Sequence, residues 1–436
     1  MKKTKTLLTF ATQKGPILSF FLRTFIILAL LVVTLGLSTS LCAQGGSEAQ
    51  LLTIDEAALR ADLDKILDSA IDSGSLVGLV FVVYKDGRQV YFEAKGYSDL
   101  EKKTPMSPDA LFRLSSVSKV FTTMAAGALA TQGALNLEAP VGNYLEAFSS
   151  ANGQLGDGRA ANMLVKHLLT HTAGLDYNFN EGPDGPYNES KVSSGCDYVP
   201  NLTLEENIER IAAQPLLYDP GSNFVYSVAS DVLGAVVAKA SGKNLPAAME
   251  SLIFSPLSLE GAGYWAKDPM LLTQHYRKTK GGFKKMEGAE KFKLGGDKVL
   301  VLNTNRALDP GAFPSGGCGM VGDAKSVITL LEAVRRDGGG IVDPQIMKWF
   351  YQDAIAPFNS SPGQGFGAGW AVVMDPGVAD LPVSAGSINW GGVYGHSWYV
   401  DFENGLSVLL LTNVALRGLS GDTMPQALKA IYEAMP

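Results

Sequence analysis

Ser116 and Lys119 stand three residues apart at the start of the apolar-periodic run LFRLSSVSKVFTTMAAGALATQG, residues 111–133. On a helix that spacing puts both side chains on one face of the first turn. A serine at a helix entrance sits beside unpaired backbone N–H groups and the positive end of the helix dipole, a setting that favours a forming alkoxide or oxyanion. A lysine one turn on takes the serine's proton only when it is uncharged, which demands burial and a neighbouring cation or dipole. The pair reads as an acylating nucleophile, Ser116, with Lys119 as its base or proton relay. The alternative is an N-cap serine with a solvated lysine, and one Ser-x-x-Lys match is expected about once by chance in a chain this long.

Two more stretches carry residues with chemical potential. Tyr226, in DPGSNFVYSVASDVLG, precedes a helix expected to begin near Ser227. A phenol close to a lysine exchanges protons with it and serves as acid or base, whereas a buried aromatic with a satisfied hydroxyl is the structural alternative. Trp390-Gly391-Gly392-Val393 opens a predicted strand. Adjacent glycines there mark either a close approach to the backbone or a bulge.

The elements that must position these residues follow from periodicity. Residues 56–73 have helical spacing, with Leu59, Leu63, Ile66, Leu67 and Ile71 on one side. LVGLVFVVYKDGRQVYFEAKGYSD then reads as two strands joined at Asp86-Gly87, the first apolar enough to be covered on both faces. From Ser116 to about Phe254 the pattern is helical. Residues 162–171 predict a short helix, Thr203 with Glu206 a capping box opening a helix to about Ala213, and residues 227–241 a helix stopped by Gly242. The Gly-, Pro- and Asn-rich residues 178–200 predict a long loop over a cleft. Strands return after about Tyr264, at residues 365–375, 387–401 and 405–413, and residues 423–435 predict a terminal helix. The expected fold is α+β: an antiparallel sheet flanked by helices, with strands from both ends of the chain and an all-helical subdomain inserted between them. The boundaries fall at about 47–110 and 265–436 for the α/β half and about 111–264 for the helical half.

The first 43 residues differ from the rest. Lys2, Lys3, Lys5, Lys14 and Arg23 precede or edge an apolar run at residues 24–37, and no acid occurs before Glu48. This predicts a secretory signal cleaved after Ala43, and a periplasmic or secreted protein; the alternatives are an uncleaved anchor, or a lipid on Cys42. Removing those residues leaves 31 basic against 43 acidic side chains, a balance of −12. Nucleic acid is excluded as a partner, because phosphate binding needs a basic face. No stable membrane partner is expected beyond the signal segment. Cys196 and Cys318 remain either free or paired, since sequence does not show whether their backbones approach. His167 and His171 lie four apart without an acidic third ligand, so no metal is expected, and no cofactor pattern is found. The glycines of residues 363–369 read as a close-packed strand, His396 just past Trp390-Gly391-Gly392-Val393 has no assigned role, and no Gly-x-Ser-x-Gly elbow occurs.

Taken together, Ser116-Val-Ser-Lys119, Tyr226-Ser-Val and Trp390-Gly-Gly resemble the three motifs of the serine β-lactamase and penicillin-binding-protein superfamily. LVKHLLTHTAGL (residues 164–175), DPGSNFVYS and PSGGCGMVGDAKS (residues 314–326) match it in order. The resemblance implies acyl transfer through a serine ester, with Lys119 and Tyr226 handling protons and an oxyanion hole from the N–H groups of Ser116 and Val393. Trp390, Gly391 and Gly392 would contact substrate. Two departures choose within the superfamily. Trp390 supplies neither the cation nor the hydroxyl that meets a substrate carboxylate, and Val228 replaces the usual second-motif Asn. An unpaired carboxylate in a cleft is costly, which favours a neutral ester. The pairing is most similar to the β-lactamase-like carboxylesterases called family VIII, implying short-chain esters as small-molecule substrates. A β-lactamase or D-Ala-D-Ala carboxypeptidase is the alternative.

Overall fold

A computed structural model describes residues 54–149, 158–356, 358 and 361–435. The proposed signal segment and its cleavage site lie outside the described residues.

The fold is built on β1 (Gly78–Lys85), whose first six residues are all buried. It pairs antiparallel with β2 (Arg88–Asp99) through the Asp86-Gly87 turn, where both residues have positive φ as a two-residue hairpin requires. β3 (Thr104–Pro105) extends that edge, and β4 (Phe112–Arg113) leads toward Ser116. On its other side β1 pairs with a strand from the far end of the chain, β14 (Leu406–Thr412), with Leu79 opposite Thr412 and Lys85 opposite Leu406. The eight-stranded sheet is completed by β10 (Gln364–Phe366), β11 (Ala371–Val373), β12 (Ile388–Gly392) and β13 (His396–Asp401), in the order β10-β11-β12-β13-β14-β1-β2-β3.

Strand alternation divides the core in two. Leu79, Phe81 and Val83, with Val408 and Leu410, face α1 (Glu56–Asp72) and the terminal helix α7 (Thr423–Glu433). Val80 and Val82, with Leu409 and Leu411, face a larger core shared with α6 (Ala324–Arg335) and the helical insert. The insert's axis is α2 (Ser118–Thr131), buried from Ser118 to Leu129, which accounts for its lack of a polar face. Around it lie α3 (Val165–Leu169), α4 (Leu204–Ala212), opened by the Thr203–Glu206 capping box, and α5 (Ala229–Ser241), which ends at Gly242. No strand occurs between β4 and β5 (Tyr276–Thr279) among the described residues. The α+β fold read from the sequence is present.

Four sequence expectations are corrected. Residues 365–375 form a hairpin, β10 and β11, because the chain reverses at residues 367–370 with Gly369 at φ +87°. Residues 387–401 are likewise two strands, β12 and β13, reversing at Gly395, where φ is +113°. The helix expected at 162–171 shortens to α3, since His171 takes a positive φ. The stretch expected as a loop at 178–200 includes a helical turn at Pro186–Glu189. Two further hairpins escaped the reading, β5 with β6 (Gly282–Lys285), and β7 (Ala289–Gly295) with β8 (Lys298–Asn303). β4 pairs with the short strand β9 (Val321–Gly322), and this tie brings residues 314–320 against the start of α2.

Cys196 and Cys318 form a disulfide across a sequence separation of 122, with Cα atoms 5.3 Å apart. Closing so long a loop restricts the unfolded chain. Cys318→Ser is expected to lower the unfolding free energy by about 2–5 kcal/mol. Chemical denaturation of variant and wild type measures the difference, and equal midpoints with equal slopes would show that the bond adds nothing.

Candidate active site

The Ser116 side chain is placed by a strained turn. Ser115, at φ +44°, opens the single 3₁₀ turn Ser115–Val117 that leads into α2. Its hydroxyl accepts the Tyr394 N–H at 3.3 Å. β12 abuts the same turn: a Cβ on Gly392 would lie 2.4 Å from Ser115 Oγ and 2.6 Å from Leu114 O. Only glycine lets the third motif come this close to the first. Ser116 is 8% exposed. Neither its N–H nor that of Val393 donates to an acceptor among the described residues, so both are available as donors to an oxyanion.

Lys119 is 1% exposed. Its Nζ lies 3.3 Å from Ser116 Oγ and donates to the Gly317 carbonyl at 2.8 Å. The amine also sits 4.8 Å from the ring centroid of Tyr226 and 5.8 Å from that of Tyr177. Burying an amine is costly unless its hydrogens are used, and the carbonyl, the hydroxyl and two ring faces meet that need.

Tyr226 precedes α5 by three residues, the helix starting two residues later than the sequence suggested. Its hydroxyl accepts from Trp390 Nε1 at 3.2 Å, which joins the second motif to the third. Its ring packs at a tilt of 41° on His171, with centroids 4.6 Å apart, and His171 Nδ1 accepts the Ser227 N–H at 3.1 Å. Burial, and then the Lys119 charge, hold His171 well below the ordinary histidine range. It is a neutral brace for Tyr226. His396 is also structural, with Nε2 donating to the Arg113 carbonyl at 2.8 Å. Among the described residues no group of three or more His, Cys, Asp or Glu is arranged to hold a metal.

Ser116, Tyr226, Trp390, Gly391 and Val393 line one cavity of about 360 Å³. The structure thus brings together Ser116, Lys119, Tyr226, Trp390, Gly391 and Val393, while Gly392 acts through its close packing on Ser115. Sequence reasoning missed Gly317, Tyr177 and Asp231. Gly317 lies in the PSGGCG stretch and Tyr177 two residues past HTAGL, so both sat beside recognised segments. Asp231, on α5, is fully buried, and desolvation pushes its carboxyl up to about 6.

The sequence matches the Beta-lactamase family over residues 63–432. It is 39% identical over 385 residues to Esterase EstB of Burkholderia gladioli, covering 87% of this chain and 97% of that one. The structure is similar to EstCE1, a hydrolase with promiscuous acyltransferase activity, at a TM-score of 0.82 and 38% identity over 86% of this chain and 99% of the other. The octameric penicillin-binding protein homologue of Pyrococcus abyssi shares the fold at 20% identity, with a TM-score of 0.63 over 86% of this chain and 76% of that one. The chain belongs to the β-lactamase family, in its broad sense of serine-acylating proteins that include esterases.

The buried imidazoles set a pH dependence. Burial lowers His396 and His167 to about 4, and holds His171 and His275 well below the ordinary histidine range. The unfolded chain therefore binds more protons between about pH 6.5 and pH 4, and stability is lost as pH falls through that window. His396 alone accounts for on the order of 3 kcal/mol by pH 4. Asp231, raised to about 6, acts in the opposite direction, since its contribution is present at low pH and lost as pH rises through 6. The histidines outnumber it, so the melting temperature is expected to drop steadily from pH 7 to pH 4. A flat profile in a calorimetric scan would contradict burial of these rings as neutral groups.

Proposed function

We propose that Ser116 is the nucleophile of a carboxylesterase that cleaves short-chain esters through an acyl-serine intermediate, with Lys119 and Tyr226 as its proton carriers. As a member of this family sharing 39% identity with an esterase over most of its length, the chain is an ester-hydrolysing serine hydrolase. In this reading Ser116 Oγ attacks the ester carbonyl carbon while Lys119 Nζ, in its uncharged form, takes its proton. The developing oxyanion meets the N–H groups of Ser116 and Val393, each such donor being worth roughly 2.7–4 kcal/mol. The C–O bond to the alcohol breaks, and the proton returns to the leaving oxygen through Lys119 or Tyr226. Water then repeats the sequence on the acyl-serine and releases the acid.

One observation carries the choice of a neutral ester. Among the described residues that line the cavity beside Ser116, none bears a positive charge, and the third-motif position is held by Trp390, bonded to Tyr226. A carboxylate-bearing β-lactam or peptide would enter without a partner, at a cost that a neutral ester avoids. The basic, then apolar, N-terminal segment and the Cys196–Cys318 disulfide support a periplasmic or secreted location, because such bonds persist in oxidising compartments.

Wild type is expected to turn over p-nitrophenyl acetate or butyrate at least about a hundredfold faster than nitrocefin. Ser116→Ala is expected to lose at least about a thousandfold in kcat, and Lys119→Met and Tyr226→Phe about a hundredfold or more each. An undiminished rate in Ser116→Ala would remove that residue from the mechanism. Faster hydrolysis of nitrocefin than of the butyrate would favour the β-lactamase alternative.

A further inference from the structure

One buried ionisable group beside the site has no part in the mechanism above. Asp231, on α5 five residues past Tyr226, is fully buried. Neither of its carboxyl oxygens makes a well-aligned hydrogen bond among the described residues. Burying a carboxyl on those terms is costly, and it persists only where something compensates it. Here the compensation comes from cations. A Cβ on Gly317 would lie 2.7 Å from Asp231 Oδ2 and 3.4 Å from Lys119 Nζ. The carboxyl and the amine therefore face each other across a bare glycine Cα, in the residue whose carbonyl accepts from that amine. No direct hydrogen bond joins them, so they are coupled as charges a few ångströms apart in a site without water, where screening is weak. The groups around Asp231 are Lys119 on α2, Arg306 after β8, the phenols of Tyr177 and Tyr264, and Ser315 and the Gly317 N–H ahead of β9. Arg306 is engaged elsewhere: it donates to the Gly195 and Phe313 carbonyls, and Asp197 is the stronger of the two carboxylates acting on it. Lys119 in turn is the stronger of the two cations acting on Asp231. The four charges thus divide into Arg306 with Asp197, and Lys119 with Asp231.

We propose that Asp231 is a positioning residue of the proton relay: its carboxylate, acting across Gly317, stabilises the ammonium that Lys119 becomes on taking the Ser116 proton. The inference rests on the esterase reading. As the Ser116 O–H bond breaks, a bond forms from Lys119 Nζ to that proton, and the electron pair left on Oγ goes to the ester carbonyl carbon. Positive charge therefore appears on Nζ while the new C–O bond forms. A negative charge already fixed beside that nitrogen by α5 favours the change without reorganising. The same carboxylate also favours the protonated form of the resting amine, so it makes Lys119 a stronger base and moves to higher pH the point at which the base is free. Burial pushes the Asp231 carboxyl up to about 6, which leaves it ionised at neutral and higher pH.

The test is the pH profile of kcat/KM on p-nitrophenyl butyrate for wild type, Asp231→Asn, Asp231→Ser and Asp197→Asn. Removing the Asp231 carboxylate is expected to move the acid limb at least about one pH unit lower and to reduce the alkaline plateau about threefold or more. A merely structural Asp231 would lower the rate at every pH and leave the limb in place. Asp197→Asn, which removes the carboxylate attending Arg306, is expected to leave it in place too. Because the Asp231 carboxyl is raised by burial, its contribution to stability is lost as pH rises through about 6, so Asp231→Asn is expected to melt at or above the wild-type temperature at about pH 8. An acid limb that stays put in a folded, active Asp231→Asn, or that moves equally in Asp197→Asn, would overturn the inference. So would a large fall in melting temperature in both Asp231 variants, which would make the residue a brace of the fold. Absence of wild-type turnover on the ester would instead be a failure of the esterase reading itself.

Discussion

The contact on which the site depends is the hydrogen bond from Lys119 Nζ to the Gly317 carbonyl. A lysine amine 1% exposed has given up its water, and without that carbonyl it would keep only the serine hydroxyl and two aromatic faces. The bond spans 198 residues of sequence. Much of the surrounding architecture serves to place its two ends. β4 and β9 pair to bring residues 314–320 beside α2, and the Leu114 N–H donates to Met320 O at 2.9 Å. The Arg113 guanidinium donates to the carbonyls of Thr304 and Thr273, fixing the strand that leads to Ser116. Ser118 Oγ accepts the Met320 N–H at 3.1 Å, completing the clamp.

Strain is concentrated at the same place. Ser115 holds a left-handed conformation that L-residues adopt at a cost of order 1–3 kcal/mol, and it does so between Tyr394 and the bare backbone of Gly392. Distortion of this kind fixes the Ser116 hydroxyl and N–H in place, and in the proposed mechanism those groups would not have to reorganise as charge develops. Trp390 completes the arrangement by donating a hydrogen bond from its indole to the Tyr226 hydroxyl.

Much of this was legible in the chain because the chemistry-bearing residues sit within local signals: a serine and lysine at helical spacing, a tyrosine just ahead of a helix, a glycine pair in a strand. The β1–β2 hairpin and the Thr203 capping box were equally local. What escaped was tertiary. The Gly317 carbonyl carries no side chain to betray it, and the Cys196–Cys318 bond depends on a spacing set by the whole fold. Residues 387–401 were read as one strand because the reversal at residues 393–395 lacks an Asn-Gly or Asp-Gly signature, and the apolar pattern resumes directly after it. The lysine-rich strands β5 to β8 alternate polar with half-buried residues too weakly for their pattern to stand out from loop.

The pairing of β1 with β14 has a consequence for the order in which the protein can be made. The centre of the sheet joins residues 79–85 to residues 406–412, so a chain still leaving the ribosome has its first hairpin and its helical insert but lacks the partner that closes the middle of the sheet. Loop closure over that separation is slow and comes late. Until residues 406–412 emerge, one hydrogen-bonding edge of β1 stays unpaired, so the sheet that carries the site cannot close before that stretch is made.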